Sequence, residues 1–513
     1  MTEICENSKN NHYTNIIDLS INLSEIFCEK KEKNERKPIG QFFTPPEIAN
    51  FMSSQIQLPQ SNFSLLDPGA GTGILISAIC DRVYREYTNA IELTIHAYEN
   101  DHNIIPDLEK TLTYCRSKLA EKGHRVNYKI FAEDFIETNS KYLSKDTIYN
   151  LKHYDLVISN PPYYKLNIDS YKSEIMADFV FGQPNIYSFF VILATMMLKE
   201  NGQFVYITPR SFCSGLYYKK MRKWLLENTC ITKIHTFISR NNIFHMDKVL
   251  QEVLIISGEA TNKKKCKPIE ITSSSDKFFS DIETIICQYS YLNPKGNEES
   301  YIRIPSSQSD IKIFDIVDSW NHKLLDFDIK ISTGKVVDFR TTENLTDNYD
   351  KKGTVPLIWM QNLDLKKINI SIENFEKPQG ILFNENTKRI LIPIKNYVLL
   401  KRFTTKNEKK RLFAVPFPKK EFKQFKYIGI ENHINYIYKS KGELSLNEMY
   451  GVLALLNSNL IDNYIRTISG HTQVNATDIR NLPIPNYENL IKLGKHFRNN
   501  NFNDCSEYIK ELN

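Results

Sequence analysis

Short apolar runs alternate with longer amphipathic segments between about residues 40 and 257, and this alternation restricts the folds open to the chain. The apolar runs predict five buried strands, at 64–67, 94–98, 155–159, 203–208 and 253–256. Helical patterns lie between them, for example at 73–84 and 187–198. Strands that alternate with helices are typical of a parallel sheet with helices on both faces. We therefore expect an α/β fold built on a doubly wound sheet.

The sequence pattern predicts four segments. Residues 1–37 are polar, end in a charged run and are expected to form an N-terminal helical arm. The alternating strands and helices occupy 38–258, and the less regular residues 259–320 are interpreted as an insertion or linker. From 321 to 513 short strands and turns prevail, with a helix near 444–468. This last segment is predicted to be a C-terminal domain of mixed α+β structure.

Charge is distributed unevenly along the chain. Residues 321–513 contain 30 Lys and Arg against 21 Asp and Glu, whereas residues 1–320 contain 36 against 39. This distribution suits a nearly neutral catalytic region joined to a region that contacts a polyanion. A basic surface that is merely solvated fits the same numbers.

Cysteines and apolar runs bear on the environment of the chain. The nine cysteines include no C-x-x-C pair, so neither a zinc site nor a disulfide framework is indicated, and no metal is expected. No apolar run is long enough to cross a membrane, and the polar residues 1–11 do not resemble a secretory signal. We therefore expect a cytoplasmic protein in a reducing compartment, without membrane contact.

The first chemical motif is a glycine turn between a predicted strand and a predicted helix. The segment reads Leu-Leu-Asp-Pro-Gly-Ala-Gly-Thr-Gly over 65–73, with glycines at 69, 71 and 73. Alternating glycines let the backbone approach a ligand, because no β-carbon stands in the way. The spacing is neither the dinucleotide pattern nor a Walker loop, so a phosphate ligand is not specifically implied. A plain structural turn remains an alternative.

Acidic residues follow the next two strands. Glu99 closes the strand after the glycine turn, and Asp134-Phe135 follows another predicted strand at 128–131. In doubly wound folds a carboxylate at the first of these positions accepts hydrogen bonds from ribose hydroxyls. Either residue alone is more often an ordinary solvated strand end. Their order after the glycine turn favours a nucleoside-binding site.

The third motif, Asn160-Pro161-Pro162-Tyr163, directly follows the apolar run 154–159. Two consecutive prolines fix φ and stiffen the loop at the carboxyl edge of the sheet, where such folds bind ligands. Prolines lack N–H groups, so the loop offers carbonyl acceptors, and Asn160 adds a side-chain acceptor. This combination suits an amino group with two protons to donate, and the Tyr163 ring can stack on a planar substrate.

Taken together, the motifs resemble the gamma class of N6-adenine-specific DNA methyltransferases, which use S-adenosyl-L-methionine. Residues 40–47 resemble the motif that precedes the glycine turn in this class, and Asn-Ile-Phe-His at 242–245 resembles a later one. The resemblance spans about 40–257 and extends more weakly to 321–490, where the family has a DNA target recognition domain. It implies a Rossmann-like methyltransferase sheet and a modification methylase of a type II restriction-modification system.

The resemblance implies a set of cofactor-binding residues: Thr44, Asp67, Gly69, Gly71, Gly73, Glu99, Asp134 and Phe135. Thr44, Asp67 and Gly69 would hold the methionine part of S-adenosyl-L-methionine, and Glu99 would bind the ribose hydroxyls. Asp134 would accept a hydrogen bond from the adenine amino group, with Phe135 packed on the ring. Asp67 stands where several relatives have glutamate, which loosens any expectation about its contact geometry.

The resemblance also implies the catalytic residues, which are Asn160, Pro161, Pro162, Tyr163 and Phe244. Asn160 and the Pro161 carbonyl would accept the protons of the target N6 amino group. Tyr163 would stack on one face of a flipped-out adenine and Phe244 on the other. Because the target atom is inaccessible in a stacked duplex, such an enzyme must rotate the base out of the helix.

The expected partner is double-stranded DNA, with a restriction endonuclease that acts on the same site as a possible second partner. The basic run at 401–411 and the polar loop at 469–473 are candidate DNA contacts, although a solvated loop fits either equally well. Three alternatives compete with this hypothesis. They are an RNA-adenine or protein-glutamine methyltransferase, a non-catalytic DNA-binding specificity subunit, and a fusion to a nuclease. The intact motifs argue against the second, and the 37 residues that precede the alternating region are too few for a nuclease domain.

Overall fold

The chain is described here by a computed structural model. It describes residues 13–30, 40–143, 153–180, 182, 185–238, 252–261, 265–294, 298–364, 367–404, 408–468, 473–500 and 503–512. The chain forms two compact units, Met1–Ser306 and Ser307–Asn513.

The first unit is built on a nine-stranded sheet. Its strands are β1 (Phe63–Asp67), β2 (Glu92–Tyr98), β3 (Arg125–Phe131), β4 (Tyr154–Ser159), β5 (Leu198–Pro209), β6 (Thr229–Phe237), β7 (Val253–Ala260), β8 (Ile269–Ser274) and β9 (Glu283–Cys287), in the order β3-β2-β1-β4-β5-β7-β6-β8-β9. Strands β1 to β5 pair in parallel, and β7 runs antiparallel to both β5 and β6. The order reverses between β1 and β4, so the predicted doubly wound α/β sheet is confirmed.

Helices connect these strands: α1 (Asp18–Lys30), α2 (Pro46–Ser54), α3 (Ile74–Glu86), α4 (Ile105–Ala120), α5 (Phe135–Asn139), α6 (Tyr171–Ile175), α7 (Ile186–Met196), α8 (Lys219–Asn228) and α9 (Tyr289–Leu292). All eleven residues of α7 are buried, which explains why its sequence is apolar on every face. It begins at Asn185, whose side chain accepts a hydrogen bond from the Tyr187 N–H at 3.4 Å.

Helix α1 packs directly on the glycine turn. The Ser24 and Thr72 hydroxyl oxygens lie 2.5 Å apart, and the Phe27 ring lies 5.5 Å from the Phe43 ring, edge to face. The helix of the predicted N-terminal arm is thus part of the first unit and supports its glycine turn.

Residues 269–287 differ from the sequence interpretation as an insertion or linker. They form β8 and β9, which extend the sheet beyond β6, and the boundary between the two units falls at residue 306. In β9 only alternate residues are buried, for example Ile285, while Ile286 is exposed, and in β8 the polar residues Thr272 and Ser274 are buried beside Ile269 and Ile271. Short half-exposed strands at a sheet edge carry a weak apolar pattern, and this explains the difference.

Cys230 and Cys266 form a disulfide bond, which the sequence analysis did not anticipate. Cys230 lies in β6 and Cys266 just precedes β8, and these strands are parallel neighbours. The pairing places the two Cα atoms 5.4 Å apart. Their separation of 36 residues in the sequence carries no signal of this proximity.

The second unit contains three sheets. Its strands are β10 (Ile329–Thr333), β11 (Leu345–Thr346), β12 (Thr354–Ile358), β13 (Leu363–Asp364), β14 (Lys367–Ile368), β15 (Gly380–Leu382), β16 (Leu391–Pro393), β17 (Tyr397–Lys401), β18 (Ala414–Phe417), β19 (Tyr427–Ile430) and β20 (Ile434–Lys439). The sheets have the orders β10-β20-β17-β18, β11-β15-β12-β19-β16 and β13-β14. Apart from the parallel pair β12 and β19, the paired strands are antiparallel.

The helices of the second unit are α10 (Gln308–Val317), α11 (Glu385–Lys388), α12 (Leu446–Asn457), α13 (Asn459–Ile468), α14 (Ala476–Arg480), α15 (Tyr487–Asn499) and α16 (Ser506–Glu511). The single helix predicted near 444–468 is therefore two, α12 and α13. Ser458 separates them with an extended backbone, ψ 147°, and its hydroxyl accepts a hydrogen bond from the Ile461 N–H at 3.2 Å. Within the described ranges, no helix has the length and apolar character needed to cross a membrane.

Candidate functional site

A cavity of about 520 Å³ opens beside the carboxyl ends of β1, β2 and β4. Seven of the predicted site residues line it: Gly69, Gly71, Glu99, Asp134, Phe135, Asn160 and Pro162. The fold therefore brings together motifs that are far apart in the sequence. Five other predicted residues, Thr44, Asp67, Gly73, Pro161 and Tyr163, lie nearby without lining the cavity.

The glycine turn needs glycine at two positions. Gly71 and Gly73 have φ values of +54° and +87°, a region that residues with a β-carbon rarely adopt. A β-carbon on Gly73 would also lie 3.0 Å from side-chain atoms of Leu108 and Thr111. The turn is tied to β2 because the Ala70 N–H donates to the Tyr98 carbonyl at 2.9 Å.

Asp67 lies fully buried at the end of β1. Its Oδ1 accepts a hydrogen bond from the Gly69 N–H at 3.2 Å, while Oδ2 is buried with no hydrogen-bond partner among the described residues. Burial, with a smaller contribution from the charge of Glu99, raises the pKa of Asp67 to about 8. A buried carboxyl with an unused oxygen is suited to an additional donor, such as an ammonium group.

Glu99 joins the glycine turn to the loop after β2. Its Oε2 accepts from the Gly71 N–H at 2.9 Å and its Oε1 from the Asp101 N–H at 2.8 Å. The Asn100 N–H also hydrogen-bonds to this carboxylate, so about one of its four lone-pair positions remains for a ligand. Burial raises the pKa of Glu99. An acceptor at this position fits a ribose hydroxyl.

Asp134 begins helix α5 and faces the cavity. Its Oδ1 accepts from the N–H groups of Ile136 and Glu137, both at 3.0 Å, which is the geometry of a helix cap. Its Oδ2 lies 2.6 Å from the Lys172 ammonium. Phe135 follows, with its ring 5.3 Å from that of Phe190 on α7. Together these groups combine an acceptor with an aromatic wall.

The orientation of the Asn160 amide is fixed by its donors. Its Nδ2 donates to the Phe42 carbonyl at 3.0 Å and to the Thr44 hydroxyl at 3.1 Å. Both amide protons are thereby used within the protein. The Oδ1 atom is left as the acceptor, which is the atom that the motif interpretation requires. Thr44 therefore acts on Asn160 in this structure, in addition to its expected role at the cofactor.

Tyr163 supports Asn160 and presents little free ring surface. Its hydroxyl lies 2.7 Å from both Asn160 Oδ1 and the Ile207 carbonyl, and its single proton can serve only one of them at a time. The side chain is 8% exposed, with its ring 6.2 Å from Phe42 and edge to face with Tyr187. Burial raises the pKa of the Tyr163 hydroxyl far above its usual value, so it stays neutral. Its stacking role remains a prediction.

Sequence reasoning missed several residues of the cavity, among them Phe43, Asn100, Tyr164 and Phe190. It also missed Lys172, which contacts the cavity residue Asp134. Phe43 and Tyr164 adjoin predicted motifs, so their positions beside the motifs could have identified them. Phe190 lies in the wholly buried helix α7, where sequence gives no means to separate a residue of the cavity wall from a core residue. Phe244, predicted as the second stacking residue, lies outside the described residues.

In the second unit, the described basic residues of the run 401–411 are largely engaged within the protein. The fully buried Arg411 donates to the Thr404 hydroxyl at 3.0 Å and to the Gln473 carbonyl at 3.3 Å. Lys410 donates to the Asn457 carbonyl at 2.7 Å, and the Arg402 guanidinium to the Asn432 carbonyl at 2.5 Å. The interpretation of the whole run as a phosphate-binding patch is therefore too broad.

Other members of this run differ in exposure. Lys409 is exposed to solvent, whereas the Lys401 ammonium lies 3.9 Å from the centre of the Phe413 ring. Residues 405–407 and 469–472 lie outside the described residues, and with them most of the polar loop predicted to face DNA. Among the residues that the structure covers, no group of three or more His, Cys, Asp or Glu side chains is arranged to hold a metal ion.

Comparison with known proteins gives matches that cover most of the chain. The family model described as Eco57I restriction-modification methylase matches residues 6–244. Type II methyltransferase M.PstI of Providencia stuartii is 33% identical over 461 residues, which are 89% of this chain and 88% of that protein. Type II methyltransferase M.BsuBI of Bacillus subtilis is 33% identical over 476 residues, covering 91% and 90%.

Solved structures give weaker matches. The type IIG restriction endonuclease BpuSI aligns with a TM-score of 0.46 and 14% identity, over 94% of this chain and 63% of that chain. A complex of DrdV with DNA aligns with a TM-score of 0.49 and 15% identity, over 93% and 59%. The chain thus spans less than two thirds of the length of these two solved proteins.

Proposed function

The chain belongs to the family of restriction-modification DNA methyltransferases, and on that premise we propose that it methylates adenine at N6 in duplex DNA. The methyl donor would be S-adenosyl-L-methionine. The biological role would be to protect host DNA from a restriction endonuclease that recognises the same sequence. The observation that carries this proposal is the fixed amide of Asn160, whose oxygen is left as the acceptor beside the cavity.

The residues around the cavity fit S-adenosyl-L-methionine. After three backbone N–H donors, Glu99 retains about one acceptor position, which suits a ribose hydroxyl. Asp134 and Phe135 would hold the adenine, with Phe190 as an additional wall. The unpartnered Oδ2 of Asp67 suits the positive charge of the methionine part. When bound, the cofactor supplies an activated methyl group on a sulfonium.

Asn160 and the Pro161 carbonyl would act on the substrate amine. The lone pair of an adenine amino group is delocalised into the ring, so the nitrogen is a poor nucleophile. Two acceptors that hold its protons favour a more tetrahedral nitrogen with an available lone pair. This assistance is strongest in the transition state, where it increases the rate. No strong general base is required, because the methylated nitrogen is acidic and loses its proton afterwards.

The target adenine would leave the helix before transfer, at a cost of about a few kcal/mol. Stacking on aromatic side chains offsets part of that cost, since each base stack contributes about 1–3 kcal/mol. Tyr163 can provide such a face only if its packing against Phe42 opens. Phe244 is proposed as the opposite face. The second unit, residues 307–513, is proposed to recognise the DNA sequence.

Sequencing of DNA from cells that express the protein, by a method that reports N6-methyladenine, tests the proposal. We expect a single short sequence to carry N6-methyladenine throughout the genome, and the mark to be absent with Asn160→Ala. Methylation of cytosine at a specific site would contradict the adenine assignment. Absence of any DNA modification, with methylated RNA or protein instead, would favour the alternative methyltransferases.

A further inference from the structure

The segment between the Asn-Pro-Pro-Tyr loop and helix α7 is anchored beside the cavity. At its ends the Ile186 N–H donates to the Tyr164 carbonyl at 3.0 Å. The backbones of Lys165 and Asn185 form an isolated antiparallel β-bridge. Met176 is fully buried, and the Lys220 ammonium donates to the Ala177 carbonyl at 2.8 Å. These contacts on both sides of the short helix α6 hold it in place.

The side chain of Lys172 on helix α6 contacts the carboxylate of Asp134, which is proposed to bind the adenine of the cofactor. Its ammonium lies 2.6 Å from Asp134 Oδ2 and 3.4 Å from Glu137 Oε1. The Lys172 and Asp134 side chains are 18% and 19% exposed, so solvent screens this pair less than an open surface pair. Burial opposes the charge of Lys172, but the hydrogen bond to Asp134 and the adjacent charges raise its pKa overall.

The acceptor positions on Asp134 are almost filled by the protein. Two N–H groups occupy Oδ1 and the Lys172 ammonium occupies one position on Oδ2. A carboxylate has about four such positions, so one on Oδ2 remains. Because Oδ1 and Oδ2 are both held, the carboxylate cannot rotate, and its remaining lone pair has a fixed direction.

We propose that Lys172 is a positioning residue that makes the cofactor cavity selective for a purine with a 6-amino group over one with a 6-oxo group. It holds Oδ2 of Asp134 and so fixes the direction in which the carboxylate offers its remaining lone pair. A 6-amino group donates to the remaining lone pair, whereas a 6-oxo oxygen would face it with repulsion. The inference rests on the proposed function, in which this cavity binds an adenine nucleoside.

Calorimetric titration of the full chain with S-adenosylhomocysteine and with its inosine counterpart, S-inosylhomocysteine, tests this role. Wild type should prefer the adenine compound. Lys172→Met should lower the affinity for S-adenosylhomocysteine by about tenfold, the loss expected for a charge-assisted hydrogen bond. It should lower the affinity for S-inosylhomocysteine by less than about twofold. Lys172→Arg keeps the charge and should restore most of the preference.

Lys220→Met is the matched control, because Lys220 anchors the same segment through the Ala177 carbonyl without contacting Asp134. It should leave both affinities unchanged. If Lys172→Met lowers the affinity for both compounds equally, Lys172 has a merely structural role and the inference is overturned. Unchanged affinities in Lys172→Met would overturn it as well.

A double-mutant cycle adds a second readout. Once Asp134→Asn has removed the charged acceptor, the further change Lys172→Met should cost less than about twofold in affinity for S-adenosylhomocysteine. A full additional loss of about tenfold would show that Lys172 acts independently of Asp134 and would overturn the inference. If wild type binds neither compound, the proposed cofactor is wrong, and the proposed role of Lys172 is wrong with it.

Discussion

Charged side chains differ between the two units of this protein in how far their hydrogen-bonding capacity is used within the protein. Around the first unit's cavity, Glu99 and Asp134 keep unused lone pairs after they have satisfied the backbone. In the second unit, Arg411 and Lys410 direct their donors at carbonyls of the protein itself. The carboxylates follow strand ends at one edge of a parallel sheet, where the fold leaves a cavity. The basic run occupies a loop between antiparallel strands, where its charges help to hold the loop in place.

The largest effect is expected for Asn160→Ala. The variant removes the side-chain acceptor for the substrate amine, and loss of one such group from a preorganised site typically costs about 10²–10³ in rate. A tritium-transfer assay with DNA should show this loss. Calorimetric titration with S-adenosylhomocysteine should show an affinity close to wild type, because the proposed cofactor contacts remain. Activity within about tenfold of wild type would contradict the role of Asn160.

Arg411→Met tests whether the basic run is structural. The change removes a donor from the buried Thr404 and from the partly buried Gln473 carbonyl, so we expect a loss of about 3 kcal/mol in unfolding free energy. Urea denaturation followed by circular dichroism measures it. The salt dependence of DNA binding should not change at temperatures where the variant stays folded. A stable variant with a flatter salt dependence would place Arg411 on a phosphate instead.

Asp67 should make stability depend on pH in the first unit. Its pKa is raised to about 8, so the folded state holds the proton more tightly than the unfolded state does. Stability from this group is therefore greatest below about pH 4, falls as pH rises, and levels off above about pH 8. Between pH 5 and 7 this group should lower the unfolding free energy by about 2.6 kcal/mol, and Asp67→Asn should remove that contribution.

Urea denaturation of wild type and Asp67→Asn across this pH range checks the decrease. The raised pKa of Glu99 contributes in the same direction and stays in the variant, so a smaller slope should remain. Identical pH profiles for the two proteins would mean that Asp67 is ionised in the folded state at neutral pH.

The smallest effect is expected for Lys409→Gln. Lys409 is an exposed cation in the run, whereas the other cations that the structure describes there are partly or fully buried. If it contacts a phosphate, the slope of log affinity against log salt should flatten by about one unit, with little change in stability. Binding to duplex DNA at several salt concentrations, by fluorescence anisotropy, measures the slope. An unchanged slope would leave the described part of the run without a phosphate contact.

Sequence predicted the first unit better than the second for physical reasons. Buried parallel strands such as β1 and β4 are nearly continuous apolar runs, and the residues that follow them must meet at one edge of the sheet. Glu99, Asp134 and Asn160 could therefore be placed together from the order of strands and motifs alone. Arg411 gave no such signal, because a buried arginine and a phosphate-binding arginine look alike in a sequence.

Lys172 and Tyr163 show a second limit on what the sequence can predict, namely the contacts that a side chain makes in the folded protein. The contact of Lys172 with Asp134 joins residues 38 positions apart through the packing of α6, which no local pattern encodes. Tyr163 was predicted from its motif, but its burial against Phe42 and Tyr187 depends on tertiary packing. The disulfide between Cys230 and Cys266 likewise follows from strand order. Motif chemistry was predictable, whereas the partners of each side chain were not.

The most direct test of the central claim is mass spectrometry of nucleosides from plasmid DNA made in cells that express wild type or Asn160→Ala. The host should lack its own adenine methylation. The account predicts N6-methyldeoxyadenosine with wild type and none above background with the variant. Methylated deoxycytidine instead, or equal amounts of N6-methyldeoxyadenosine from both proteins, would contradict the assignment of Asn160 as the acceptor for an adenine amino group.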